Sequence, residues 1–384
     1  MKARRLLPLL ALIGISSLVL AISVGSTNFS VRTILVALVA PGYGADHAPP
    51  SLDTPAGGPG QSGTDVDAPA TGPGRAAAPG YGAPVGGSDR AAVPSHSSPV
   101  GTLLVREVIL KLRLPRALNA FSTGGLLALA GVLMQVLLRN PLADPYVLGI
   151  SGGAAVAALG AMLLGFGGIF IDWAAGTGAL GATLLVFALA HARGGWTPQR
   201  LLLNGVVVAA GCTAIVSLML ALGDESRLRG MLFWLMGDLS FSEFSPAALG
   251  ILLAIGLLAV AGARSLNVLA RGEVESQSLG LALRPARIAL FCATAALTAA
   301  AVTTAGGIGF IGLVTPHLVR LVAGSNHRVV VPASILLGGT LLTLADTLAR
   351  SAAAPRELPV GALTALIGVP LFLILLRRER RVTF

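Results

Sequence analysis

Residues 264–287 read RSLNVLARGEVESQSLGLALRPAR, a polar island between two long apolar runs. Within it, EVESQSLGL at 273–281 predicts a short helix that ends at Gly280, followed by a turn at Pro285. Glycine suits a helix C-terminus because it takes the left-handed backbone conformation without a Cβ clash, so Gly280 is expected at positive φ. Arg264, Arg271, Arg284 and Arg287 belong to the same island. Basic loops between apolar spans face the cytoplasm. A structured cytoplasmic loop either docks a soluble partner or merely connects and orients two spans, and these residues alone leave both readings open.

The remainder of the chain fits that setting. It has 384 residues, 54% of them hydrophobic and 11% charged, with a mean hydropathy of +0.82. Soluble domains carry about 25% charged residues, so the composition is that of an all-α protein with many membrane spans. The net charge of +10 is spread between apolar runs rather than gathered in a patch, which gives no footprint for nucleic acid. Cys212 and Cys292 sit in apolar runs and read as small buried hydrophobes. Lys2 and Lys111 are the only lysines, and neither precedes Ser or Thr as a phosphate-binding Gly-rich loop requires. Any ATP-driven work must therefore come from another subunit.

Three regions follow from the pattern: 1–40, 41–100 and 101–384. In the first, Lys2, Arg4 and Arg5 precede an apolar run over about 6–25, read as an uncleaved span because no small-x-small cleavage site follows. Residues 28–40 are too short to span and are expected at the outer interface. Residues 41–100 are rich in Gly, Pro, Ala and Ser without hydrophobic period, and read as a disordered outer insert that cannot bury enough apolar surface to order itself. Nine further spans are expected near 117–138, 147–168, 174–192, 201–222, 245–263, 287–305, 309–323, 330–349 and 360–376. With the first they make ten and put both termini in the cytoplasm, with sixteen of the 27 Lys and Arg residues inside. Gly306, Gly307, Gly309 and Gly312, followed by Pro316, read as a helix break that lines a pathway. Close approach of neighbouring helices is the other use of such glycines.

Five ordered motifs add to this reading: RLPR (113–116), RNPLADPYVLGIS (139–151), GFIGLVTPH (309–317), NHRVVVP (326–332) and ELPVGALT (357–364). With the central loop they resemble the permease subunits of ABC importers for iron–siderophore complexes, haem and vitamin B12. The resemblance covers 101–384 and the first span. It implies a type II importer fold of ten helices and a substrate path between two permease subunits, either a homodimer or a heterodimer with a sister permease. Two ATP-binding cassette subunits would bind inside, and an extracytoplasmic substrate-binding protein outside. It assigns the coupling helices to 264–287, with Glu273, Ser278, Leu279 and Gly280 as matching positions. It assigns binding-protein docking to Arg113, Arg116 and Arg350, the last of which could instead pair with Asp346 one helical turn away. The family's shorter outer connection is where this chain carries 41–100.

No catalytic cluster is legible: the five histidines are not at metal-ligand spacing, and no cofactor or metal is expected. An ion-coupled transporter should carry several ionisable residues in mid-span, and Asp346 is nearly alone. The expectation is an importer permease in the cytoplasmic membrane, with an iron–siderophore complex as cargo and haem or cobalamin as alternatives.

Overall fold

The computed structural model describes residues 2–24, 105–191, 197–240, 244–354 and 356–379. The expected interfacial segment 28–40 and the insert 41–100 lie outside these residues. Thirteen α-helices occur among those described. They are α1 (Lys2–Ser23), α2 (Leu114–Leu138), α3 (Ile150–Leu163), α4 (Ile169–His191), α5 (Pro198–Leu222), α6 (Glu225–Met236) and α7 (Pro246–Ala261). They continue with α8 (Ala263–Leu269), α9 (Glu273–Ser278), α10 (Leu283–Ala305), α11 (Ile311–Ala323), α12 (His327–Ser351) and α13 (Val360–Glu379). Each of the ten predicted spans contains one of the apolar helices, and α6 is an additional helix that the hydrophobic pattern did not mark.

Among the described residues six helical stretches are long and apolar enough to cross a membrane, and the pair α7–α8, bent by 69°, makes a seventh if it is counted as one span. Helices serve this setting because every backbone N–H and C=O is satisfied within the segment. The three others, α3, α11 and α13, carry apolar helices of 10–17 residues. An α11 of 13 residues rises only about 20 Å, short of a hydrocarbon core of about 30 Å.

The bundle is organised on α2. Within Val105–Leu138, 89% of the residues of an apolar 18-residue stretch are buried, against 11% in α5. α10, α11 and α12 pack on α2, α1 lies against α12, and α3 pairs with α4 and α5. Backbones meet where side chains vanish: a Cβ at Gly124 would stand 2.2 Å from the Gly338 carbonyl oxygen, and one at Gly131 would stand 1.9 Å from that of Gly312. Packing of this kind does the work that the hydrophobic effect cannot do between helices in lipid.

Two expectations need correction. The second span begins well before 117: residues 105–138 are continuously helical, with a π-helical turn at Val108–Arg113. Pro115 has no N–H for the i−4 carbonyl, and the widened turn before it absorbs that loss. Cys292 is exposed and Cys212 half-buried, so neither is a core residue. In a membrane protein an apolar run need not face the protein interior.

Candidate functional site

Two irregular segments interrupt the bundle and touch each other. α2 ends at Arg139, whose φ of +50° closes the helix as Asn140 N–H donates to the Gln135 carbonyl at 3.2 Å. The chain then turns through 140–144 into a 3-10 turn at Pro145–Leu148, where the Asp144 carboxylate accepts from Tyr146 N–H at 2.8 Å. This places the Tyr146 hydroxyl against the second break, where it accepts from the Ile308 N–H at 3.1 Å.

The second break starts where α10 ends. Gly306 has φ +67°, and a Cβ there would meet the Trp234 carbonyl oxygen at 2.2 Å. Gly307 lies against the Leu235 carbonyl in the same way, at 2.7 Å, while nothing crowds Gly309. Phe310 holds φ +70° at the start of α11, a conformation that costs a non-glycine residue about 1–3 kcal/mol. Such outliers gather at functional sites, and no sequence pattern announces this one.

The predicted break at 306–312 is therefore narrower than expected. Helix resumes at Ile311, and Gly312, Thr315, Pro316 and His317 all lie inside α11 rather than in a turn. Pro316 removes the bond to the Gly312 carbonyl and its ring crowds that oxygen, and α11 nevertheless continues to Ala323. That carbonyl lies over Gly131 of α2.

At one end of the bundle two of the three predicted docking arginines meet on Asp346, and the third, Arg113, shares the end of α1 with Arg350. Arg116 reaches Asp346 at 2.9 Å and Glu357 at 3.1 Å, and Arg350 reaches Asp346 at 3.2 Å. Asp346 is 1% exposed and the two guanidinium side chains 12% and 11%. Arg113, also buried, donates to the Ile22 carbonyl at 2.9 Å, while Arg350 donates to that of Ala21 at 3.0 Å. The last turn of α1, where carbonyls lack intrahelical partners, is thus capped by two cations. Ser240, beside Asp238, donates from its hydroxyl to Glu357 and brings in the segment after α6. Burial would raise the Glu357 carboxyl, but the Ser240 hydroxyl and the charges of Arg116 and Arg350 hold it below the usual carboxylate range. The i,i+4 pair of Arg350 with Asp346 was legible in the sequence; the approach of Arg116 from 230 residues away was not.

At the island of 264–287, α9 is pinned by Glu273 and Ser276, while its apolar residues are exposed. Glu273 pairs with Arg139 at 2.7 Å and with Arg287, joining the start of α9 to the ends of α2 and α10. Ser276 is fully buried, its hydroxyl shared between the carbonyls of Val268, at 3.0 Å, and Gly272. Ser278, itself exposed, donates to the Val274 carbonyl of the preceding turn at 2.6 Å. Val274 and Leu279, by contrast, are 77% and 63% exposed. Gly280 has φ +76° and nothing within contact distance of a Cβ, so the backbone conformation alone calls for glycine there. Val274 escaped the sequence reading because an exposed valine in a short helix looks like any other.

No group of three or more metal-ligating side chains occurs among the described residues. A bundle of apolar helices with two mutually bonded breaks and a pinned short helix at one end is the architecture of a polytopic membrane permease, because irregular backbone is tolerated at membrane depth only where protein buries it or a cavity opens beside it. The chain belongs to the FecCD transport family, whose model matches residues 93–378, and it is a permease of the ABC-importer class. It is 41% identical over 288 residues to the hemin transport system permease protein HmuU of Yersinia pestis, covering 71% of this chain and 84% of that one. It is 43% identical over 274 residues to the cobalamin import system permease protein BtuC of Halobacterium salinarum, covering 70% and 73%. A solved structure of an inward-facing metal-chelate type ABC transporter matches with a TM-score of 0.73 at 26% identity, over 98% of this chain and 99% of that one.

Proposed function

We propose that this chain is the transmembrane subunit through which a metal chelate enters the cell, powered by two separate ATP-binding cassette subunits. The observation that carries the reading is the Tyr146–Ile308 contact between the two breaks, because it joins unwound backbone from both halves of the chain at one place. A second copy of this chain or a sister permease supplies the other wall of the path, and the sparsely buried α5 offers surface for it. Both termini and 264–287 face the cytoplasm, where Val274 and Leu279 seat in the ATPase while Glu273, Ser276 and Ser278 keep α9 rigid. An extracytoplasmic binding protein delivers cargo at the opposite end, where Arg113, Arg116 and Arg350 set the shape and charge of the mouth. Gly306, Gly307, Gly309 and Gly312, with Pro316, belong to the path wall. Insert 41–100 enters beside that mouth in the sequence.

The cargo is an iron–siderophore complex in the sequence reading. A tetrapyrrole chelate is the second reading, favoured by relatives whose names specify hemin and cobalamin. Uptake of labelled ferric siderophore, hemin and cobalamin by proteoliposomes holding the permease, its ATPase and its binding protein separates them. ATP-dependent uptake of any one supports a chelate importer and names its class. Uptake that persists without ATP and collapses with the ion gradient would contradict it.

A further inference from the structure

Beside the island of 264–287 the helix ends enclose a cavity of about 560 Å³. Its wall takes Gln135 and Arg139 from the end of α2, Asn267 and Arg271 from α8 and the turn after it, Arg320 from α11, and His327 from the start of α12. Three guanidinium groups line it and no carboxylate does. Glu273 offsets one of them from outside the wall, through its pair with Arg139. Arg320 is held by a neutral partner, the Gln135 side-chain oxygen at 2.5 Å. Arg271 makes no ion pair among the described residues. The N-terminus of α12, a helix of 25 residues, opens at the same place, its His327 and Arg328 N–H groups capped by the Asn267 and Asn326 side chains at 2.9 and 3.1 Å. The positive end of that helix dipole favours an anion beside it.

Three cations converging on one cavity repel one another, and their mutual repulsion is relieved by a shared counter-charge. A cavity of this size is within the range of small-ligand sites. Guanidinium forks match tetrahedral oxyanions two bonds at a time. We infer that this cavity is a binding site for a phosphate group, supplied either by an anionic lipid headgroup or by a soluble phosphate compound. A bound phosphate would tie α2, α8, α11 and α12 together behind α9, at the junction that the island of 264–287 must lever. The inference rests on the cavity alone and holds whatever cargo the permease carries.

The test uses the full chain in nanodiscs of phosphatidylcholine. Calorimetric titration with inorganic phosphate reads the soluble arm, and native mass spectrometry of nanodiscs doped with phosphatidylglycerol reads retained lipid. Binding in either arm that falls about tenfold in Arg271→Gln and in Arg320→Gln, but not in Arg284→Gln outside the cavity, supports the site. The arm that responds identifies the source. Equal binding in all four proteins would show only general attraction to basic loops, and would overturn it. Absence of binding in both arms would overturn it too. If Arg271→Gln instead reduced only recovery of the ATPase with the permease, the cavity would receive a protein carboxylate and the phosphate assignment would be wrong.

Discussion

At one end of the bundle Asp346, 1% exposed, holds Arg116 and Arg350; at the other, α9 leaves Val274 77% and Leu279 63% exposed. The family resemblance assigns docking to the arginines of the first end, yet their charges face inward. The second was marked by its polar residues, yet these are the ones that pin it, and the residues left for a partner are apolar. The reason is the cost of burial. A buried charge is costly unless a counter-charge answers it, so arginines at helix ends find carboxylates and carbonyls of their own chain. An apolar side chain on a short loop helix finds nothing to pack on within its own chain, and its exposure points outward to another molecule.

Asp346→Ala should have the largest effect on this contrast. It leaves Arg116 and Arg350 buried without their shared carboxylate, and removal of one member of a buried pair costs about 3–5 kcal/mol. Thermal unfolding of the purified chain in detergent measures it. A shift no larger than that of an exposed control such as Arg356→Ala would mean that the cluster is solvated and available for docking.

Tyr146→Phe is expected next. It removes the acceptor for Ile308 N–H while keeping the ring, at a cost of about 1–3 kcal/mol for the orphaned donor. The effect belongs to the path: uptake should fall while recovery of the ATPase with the permease is unchanged. Wild-type uptake in this variant would remove the contact between the breaks from the account.

Much of the fold was legible because it rests on local chemistry. Ten apolar runs each predict a helix, and glycine at 280 predicts a positive φ that is found at +76°. What escaped depends on distance along the chain. Arg116 meets Asp346 across 230 residues, Tyr146 meets Ile308 across 162, and Phe310 takes a left-handed conformation only because its surroundings impose it. The extent of the break at 306–312 was overread because Pro316 looks like a helix stop. The helix instead runs through it, from Ile311 to Ala323.

Glu273→Gln should have the smallest effect. Its pairs with Arg139 and Arg287 are partly exposed, so stability should change by less than about 1 kcal/mol. The ATPase should still be recovered with the permease, since Val274 and Leu279 remain. Loss of that recovery with unchanged unfolding would make Glu273 a contact residue and erase the division between pinning and docking side chains.

The central claim, that 264–287 couples ATP hydrolysis to the spans, is tested most directly by Gly280→Val. The substitution meets no neighbour but forces a β-branched residue to positive φ, at a cost of about 1–2 kcal/mol confined to the end of α9. ATP-dependent chelate uptake and ATPase recovery are measured side by side in proteoliposomes. The account predicts an intact, membrane-inserted permease whose uptake is lost, with an ATPase that either detaches or turns over without response to the binding protein. Wild-type uptake by Gly280→Val would reduce the island to a connector between two spans.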